Sequence, residues 1–287
     1  MKVTIDPDAG FCKGVKRAVA IAEKVLRDDD TLMSLGEIVH NEGEISRLET
    51  RGLKIAQREH LAGAAGKKVL IRAHGEPPAT FEEAGKHHIE IVDATCPVVH
   101  KLQQKVKKAY LEMGLNGQVV IFGKPGHPEV EGLNGQANHR AIIIKDKNDL
   151  RRIDFGKPVR LFAQTTSDRE EYYAIAGMIR AAMNANAGGN IDFVSYDTIC
   201  GHVSGRAGQL REFCRRHDLI LFVSGRNSSN GKYLFGICRS VNEHTHFISG
   251  TDELEEDWFR GAGTVGITGA TSTPVWLMKD IANKISR

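Results

Sequence analysis

The sequence predicts an α/β protein made of three small lobes, and three observations predict it. A short β-rich apolar run, a cluster of Gly and small polar residues, and an amphipathic stretch of helical period recur along the chain. Examples are VLIRAHGEPPATFEEA, VVIFGKPGHPEVEG, VRLFAQTTSDREEYYAIAGMI, LILFVSGRNSSNGKYLFGI and TVGITGATSTPVWLMKDIA. Each polar cluster falls where the carboxyl end of a strand meets the next segment, which is where open α/β sheets bind ligands. At 287 residues the chain also exceeds one small core. The division we expect is 1–96, 97–193 and 194–287, with the first lobe carrying an N-terminal cysteine loop.

Three of these strand-to-helix junctions carry cysteine: VTIDPDAGFCKGVKRAVAIAEKV, IEIVDATCPVVHKLQQKVKKA and FVSYDTICGHVSGRAGQLREF. Asp93 and Asp197 stand three residues before Cys96 and Cys200 as loop or capping acceptors. Cys12, Cys96 and Cys200 then fall at or near helix starts, where free backbone N–H groups favour an anion. The intervals between them match one small α/β unit each, so the three lobes are expected to face one centre in a pseudo-threefold arrangement. Cys214 and Cys238 lie inside amphipathic segments and read as core residues.

Composition narrows the function. Hydrophobic residues make up 41% and charged residues 26%, and no apolar run approaches the roughly 18 residues of a membrane span. The opening MKVTIDPDAGFCKG has no secretory signal, so the expected compartment is the cytoplasm, with no membrane partner. Lys plus Arg total 39 against 36 Asp plus Glu, with no aromatic-studded basic stripe, so nucleic acid is not an expected partner. Five widely spaced cysteines in a reduced compartment point to metal or catalytic use. No close Cys-x-x-Cys pair suggests structural zinc. Three distant thiolates suit a cubic 4Fe–4S cluster at the centre of the lobes, with one open iron able to act as a Lewis acid.

The polar junctions describe the substrate. His40, His74 and His127 occupy equivalent loop positions and can pair with phosphate and move protons near neutral pH. Ser228, Ser229 and Asn230 follow an apolar strand at a helix start and offer an anion cradle, and Ser272 in GATSTP extends it. Glu129 becomes a proton donor if burial raises its pKa, and Thr165 with Thr166 can fix a substrate hydroxyl. The remaining histidines, His87, His88, His217, His244 and His246 among them, read as surface residues. Neither a Walker loop nor a Gly-x-Gly-x-x-Gly fingerprint is present, so reducing power must come from outside.

With these residues in hand, the chain resembles the 4-hydroxy-3-methylbut-2-enyl diphosphate reductases, the IspH or LytB family, over nearly its whole length. The carriers are GFCKGVKRA, GEIVHN, AHG, DATCPVV, GHPEVEG, QTT, DTIC, SSN and GATSTP, in the family's order. The resemblance implies three α/β lobes around a cluster held by Cys12, Cys96 and Cys200. It implies that His40, His74, His127, Ser228, Ser229, Asn230 and Ser272 hold a diphosphate, and that Thr165 and Glu129 meet the substrate hydroxyl. Glu129 then feeds protons, with His127 and Thr165 in the catalytic group.

The implied reaction is a two-electron reductive dehydroxylation to isopentenyl and dimethylallyl diphosphate, the last step of the methylerythritol phosphate route, with ferredoxin or flavodoxin as donor. A nonredox hydro-lyase using an open iron and a non-catalytic iron–sulfur sensor are the alternatives. One stretch departs from the pattern: GHVSGRAGQ follows Cys200 where many relatives have a Thr-rich turn and Asn-Arg. Gly205 and Gly208 should weaken that helix by about 1 kcal/mol each relative to Ala. His202 is expected to face solvent.

Overall fold

The structure is a computed structural model and describes residues 1–187 and 192–286, without the side chains of Ala187, Val203, Ser204 and Ser229. The chain opens with β1 (Lys2–Ile5), turns through residues 6–12 and enters α1 (Lys13–Asp28). A series then follows: β2 (Leu32–Leu35), α2 (Glu42–Glu49), β3 (Leu53–Ala56), β4 (Lys68–Ile71), α3 (Pro78–Lys86) and β5 (Glu90–Asp93). After α4 (Pro97–Met113) the series repeats as β6 (Gln118–Phe122), α5 (Pro128–Gln136), β7 (Ile142–Ile144), β8 (Val159–Ala163), α6 (Arg169–Ala187) and β9 (Phe193–Tyr196). After α7 (Gly201–Arg215) it repeats again as β10 (Leu219–Val223), α8 (Ser229–Val241), β11 (Thr245–Ile248), β12 (Thr264–Gly269) and α9 (Val275–Ile285).

The strands form three four-stranded sheets, the α/β lobes that the sequence predicts. One runs β7-β6-β8-β9, and another runs β11-β10-β12-β1. These two orders are the same topology, except that the last round takes its fourth strand from the start of the chain. Lys2 to Ile5 pair in parallel with Thr264 to Ile267, just as Val159 to Phe162 pair with Phe193 to Tyr196. The remaining sheet collects β2 to β5, with β5 parallel to β4. By contacts the chain divides into two compact units, Met1–Ile55 with Gly205–Arg287, and Ala56–Ser204.

Within the first unit, the run LILFV of β10 is apolar throughout because both faces are covered. Leu219, Leu221 and Val223 pack with Val265, Ile267 and Met278, and Ile220 and Phe222 pack with Leu210, Leu234 and Cys238 on the other side. Cys214 and Cys238 are fully buried here, core residues as predicted. The hydrogen bond to Cys214 and burial together push the Cys238 thiol up, which keeps it protonated. Glu44 is buried and satisfied by Arg47 at 2.6 and 2.9 Å and by the Trp276 indole at 2.7 Å, which ties α2 to α9.

Within the second unit, β6 and β8 are sandwiched in the same way. Val120, Phe122, Leu161 and Ala163 join Tyr172 and Ile179 of α6, whereas Val119, Ile121 and Phe162 join Leu102 and Val106 of α4. The buried Tyr172 hydroxyl donates to the Tyr196 carbonyl at 2.7 Å, so the polar end of this large side chain is satisfied.

Three of the histidines read as surface residues, His87, His217 and His246, are half-buried instead, the last two against aromatic rings. His246 stacks on Trp258 with centroids 4.0 Å apart, and burial lowers its pKa. His217 lies against Phe213, 4.4 Å between centroids, with Nδ1 at the Phe213 carbonyl. Both rings face aromatic partners one element or one turn away, which a linear sequence does not display.

The loop from β1 to α1 turns at Gly10, which has φ +119° and lies so close to Val275 that an added Cβ would meet Cγ2 at 2.9 Å. Gly66 also has positive φ, +72°, but open space around it. Gly10→Ala should therefore cost roughly 1–3 kcal/mol and Gly66→Ala about 1 kcal/mol, read as the difference in urea midpoints.

Candidate functional site

The three junction cysteines share one local construction. In each case an Asp ends or directly follows an edge strand and accepts a backbone N–H two residues on: Asp6 from Asp8 at 3.0 Å, Asp93 from Thr95 at 2.8 Å and Asp197 from Ile199 at 3.2 Å. The cysteine that follows then donates its own N–H to the carbonyl two residues past the end of the neighbouring strand. Cys12 bonds Thr271 at 3.1 Å, Cys96 bonds Ala73 at 3.0 Å and Cys200 bonds Thr165 at 2.8 Å. A helix begins at the next residue every time, α1, α4 and α7 in turn. The three thiols are half-buried and in no disulfide. Among the described residues no three His, Cys, Asp or Glu side chains gather as a single-ion site. A cubic cluster asks something different, one thiolate per iron.

In the unit containing the chain start, Cys12 caps α1, its Sγ accepting the Val15 N–H at 3.5 Å. The first turn of α1 holds exposed Lys13, Lys16 and Arg17 and no acid. Cations there oppose the helix dipole, and they favour negative charge at the cap.

The predicted cradle assembles beside this loop. Ser228 caps α8, accepting the Gly231 N–H at 3.0 Å, and its hydroxyl lies 3.3 Å from that of Ser272. Asn230 donates to the Thr271 hydroxyl at 2.7 Å, and Thr271 is the residue that binds Cys12 through its carbonyl. Ser229 opens α8, and its side chain lies outside the described residues.

Gly231 and Gly225 permit these approaches. A Cβ on the first would sit 2.1 Å from the Ser224 hydroxyl, and one on the second 2.3 Å from the His40 carbonyl. His40 is half-buried, its Nδ1 3.2 Å from Glu37, and the next residue, buried Asn41, caps α2. His40, Ser228, Asn230, Ser272 and Cys12 are thus laced into one neighbourhood.

In the other unit, the predicted residues form a second series. The His74 ring meets His127 edge to face at 5.3 Å. His127 caps α5, its Nδ1 accepting the Glu129 N–H at 3.1 Å. Glu129 is only 2% exposed, and its two carboxylate oxygens accept the Thr165 N–H at 2.7 Å and the Thr165 hydroxyl at 2.6 Å. Burial raises the Glu129 pKa, and the two bonds from Thr165 offset part of that rise. Thr165 in turn holds Cys200 through its carbonyl. Thr166 is exposed and accepts from Gln164 at 3.0 Å, so of the two threonines Thr165 is the one aimed at Glu129.

His202 is exposed, as expected. The residue that the sequence reading overlooked in the same stretch is Arg206, buried and paired with Asp6 and Thr268. A signal for Asp6 was present: an Asp stands at the end of, or directly after, each of the three strands that lead to a junction cysteine.

A family model described as LytB protein matches residues 3–286. This chain belongs to the LytB family. It is similar to proteins named 4-hydroxy-3-methylbut-2-enyl diphosphate reductase from Bacteroides fragilis, 45% identical over 99% of this chain and 97% of that one, and from Parabacteroides distasonis, 46% identical with the same coverage. Among solved structures, this LytB chain resembles the (E)-4-hydroxy-3-methyl-but-2-enyl diphosphate reductase described as the terminal enzyme of the non-mevalonate pathway. The TM-score is 0.75 at 32% identity, over 100% of this chain and 99% of that one. The reductase from Plasmodium falciparum gives a TM-score of 0.83 at 25% identity, covering 100% and 88%. Among the described residues no helix is long and apolar enough to cross a membrane.

The raised pKa of Glu129 has a stability consequence. The folded state holds its proton to higher pH than the unfolded chain, so this contribution is complete below the ordinary carboxyl value of 4.5 and fades as pH rises through the folded value. Melting temperatures of wild type and Glu129→Gln should therefore diverge in the variant's favour as pH rises from about 4.5. A difference independent of pH would contradict a buried titrating carboxyl.

Proposed function

We propose that this chain is a 4-hydroxy-3-methylbut-2-enyl diphosphate reductase. It removes the allylic hydroxyl of (E)-4-hydroxy-3-methylbut-2-enyl diphosphate and yields isopentenyl and dimethylallyl diphosphate, closing the methylerythritol phosphate route to isoprenoids. Membership in the LytB family and the names of its relatives support the reading. The observation that carries it is the buried Glu129 carboxyl held by Thr165, whose carbonyl also fixes Cys200. The loop that carries Thr165 thus bonds to both a buried carboxyl and the backbone of a junction cysteine.

The reading assigns one 4Fe–4S cluster to Cys12, Cys96 and Cys200. The residues fit: three half-buried, disulfide-free thiols stand at helix starts in one repeated local frame, unlike the fully buried Cys214 and Cys238. With three protein thiolates and one iron left open, such a cluster supplies electrons singly and a Lewis acid when bound.

The overall change is R–OH plus two electrons and two protons to R–H plus water, so a C–O bond breaks and a C–H bond forms. The chain's own residues handle the charged tail and the protons. In this reading His40, His74, His127, Ser228, Ser229, Asn230 and Ser272 hold the diphosphate oxygens. His127 and Ser228 cap α5 and α8, and Ser272 lies in the loop before α9, placements that suit anion binding. Glu129, whose pKa is raised by burial, gives a proton to the departing hydroxyl oxygen, and Thr165 orients both that hydroxyl and the carboxyl. His127 holds the first turn of α5, and so Glu129, in register. Electrons enter from a one-electron carrier, ferredoxin or flavodoxin.

Protein purified without oxygen should contain iron and sulfide, and should convert the substrate only when a reductant is supplied. Turnover without reductant would support the hydro-lyase alternative, and iron without any turnover would support a sensor. Glu129→Gln should lower kcat by about a hundred- to ten-thousand-fold with iron content unchanged. Ser228→Ala and Ser272→Ala should instead raise KM by roughly tenfold each.

A further inference from the structure

Beneath the loop that presents Cys12 lies a charged pair with no assigned role. Asp6 and Arg206 are each about 3% exposed and hydrogen-bonded through Oδ2 and Nη2. Thr268 at the end of β12 completes the group, accepting from Arg206 at 2.8 Å and donating to Asp6 at 2.7 Å. The other Asp6 oxygen takes the Asp8 N–H, and the Asp6 carbonyl takes the Ala9 N–H at 3.1 Å, so most of the first half of the loop is built on this one residue.

Stability does not explain the pair. Taking two charges out of water costs several kcal/mol per ion, and the attraction between them recovers this only when every donor is satisfied. Here Arg206 Nη1 makes no hydrogen bond among the described residues. Well-packed apolar side chains would serve the core at least as well. What apolar residues do not supply is direction, and the three partners are joined to two loops at once. Asp6 leads to Cys12. Thr268 leads through Ala270 and Thr271 to Ser272, and Thr271 binds both Cys12 and Asn230.

We propose that Arg206 is a positioning residue that acts through Asp6 and Thr268 to set the Cys12 loop and the Ser272 loop in register with each other. This rests on the reading of Cys12 as a cluster ligand and Ser272 as part of the diphosphate cradle. Arg206 touches neither group itself. It fixes where a thiol and an anion-binding hydroxyl stand, on the sixth residue of a helix that begins directly after Cys200.

The test compares the full-length chain with Arg206→Met, Arg206→Lys and the double variant Asp6→Leu with Arg206→Met, all purified anaerobically with the cluster reconstituted. Four quantities are read: melting temperature, iron content, the electron paramagnetic resonance spectrum of the reduced cluster, and affinity for inorganic diphosphate by calorimetry. Arg206→Met strands a buried carboxylate and should fall in all four. The double variant removes both charges, so its melting temperature should return close to wild type. Its diphosphate affinity should stay about tenfold weaker and its spectrum altered. Arg206→Lys should recover part of the affinity.

A double variant in which affinity and spectrum return together with stability overturns the proposal, because the pair is then only a core contact. Wild type that lacks iron overturns the functional reading and this inference with it. Wild type with iron and diphosphate binding, matched by the double variant, overturns this inference alone.

Discussion

One hydrogen bond, made three times, organises the molecule: a cysteine N–H at the mouth of a helix given to the carbonyl two residues beyond the adjacent strand. It fixes the thiol relative to two strands of a sheet and leaves the side chain at a helix start, where unpaired backbone donors favour negative charge. Because the three sheets repeat one order of elements, each cysteine lies where the chain leaves one sheet for the next. The loops that accept these bonds also carry His74, Thr165 and Ser272. Anything that repositions a cysteine also moves the groups beside it, so the proposed cluster ligands and the proposed substrate-binding groups share one framework.

Much of this was legible from the residues. Continuous apolar runs such as LILFV marked strands covered on both faces, and Gly-rich polar clusters marked the loops at their carboxyl ends, because buried parallel strands and their connections leave those signatures. Glu129 was legible as a conditional proton donor, and the structure supplies the condition, burial against Thr165. The contrast between junction cysteines and core cysteines also followed from local context alone.

What escaped the sequence was pairing at long range. Asp6 and Arg206 lie 200 residues apart, and nothing local distinguishes a buried arginine on a glycine-rich helix from a solvated one. The stretch GHVSGRAGQ read as a departure that weakens the start of a helix, yet it carries the arginine that pairs with buried Asp6. His246 against Trp258 and His217 against Phe213 failed for a related reason: a ring's exposure depends on the surface that packs over it. Periodicity finds the face of an element, whereas the partner of that face is set by topology.

The borrowed fourth strand imposes an order of events on biosynthesis. β1 is made before the other described strands but pairs with β12, the last of them. Until then its edge is open, and the carbonyls of Ile267 and Thr271 that anchor the Cys12 loop do not yet exist. Contacts of such sequence separation are slow to form, and an open edge in the meantime invites association with other chains. Of the three junction cysteines Cys12 is made before Cys96 and Cys200, yet it is the last to gain its backbone partner, which exists only after β12 has been made.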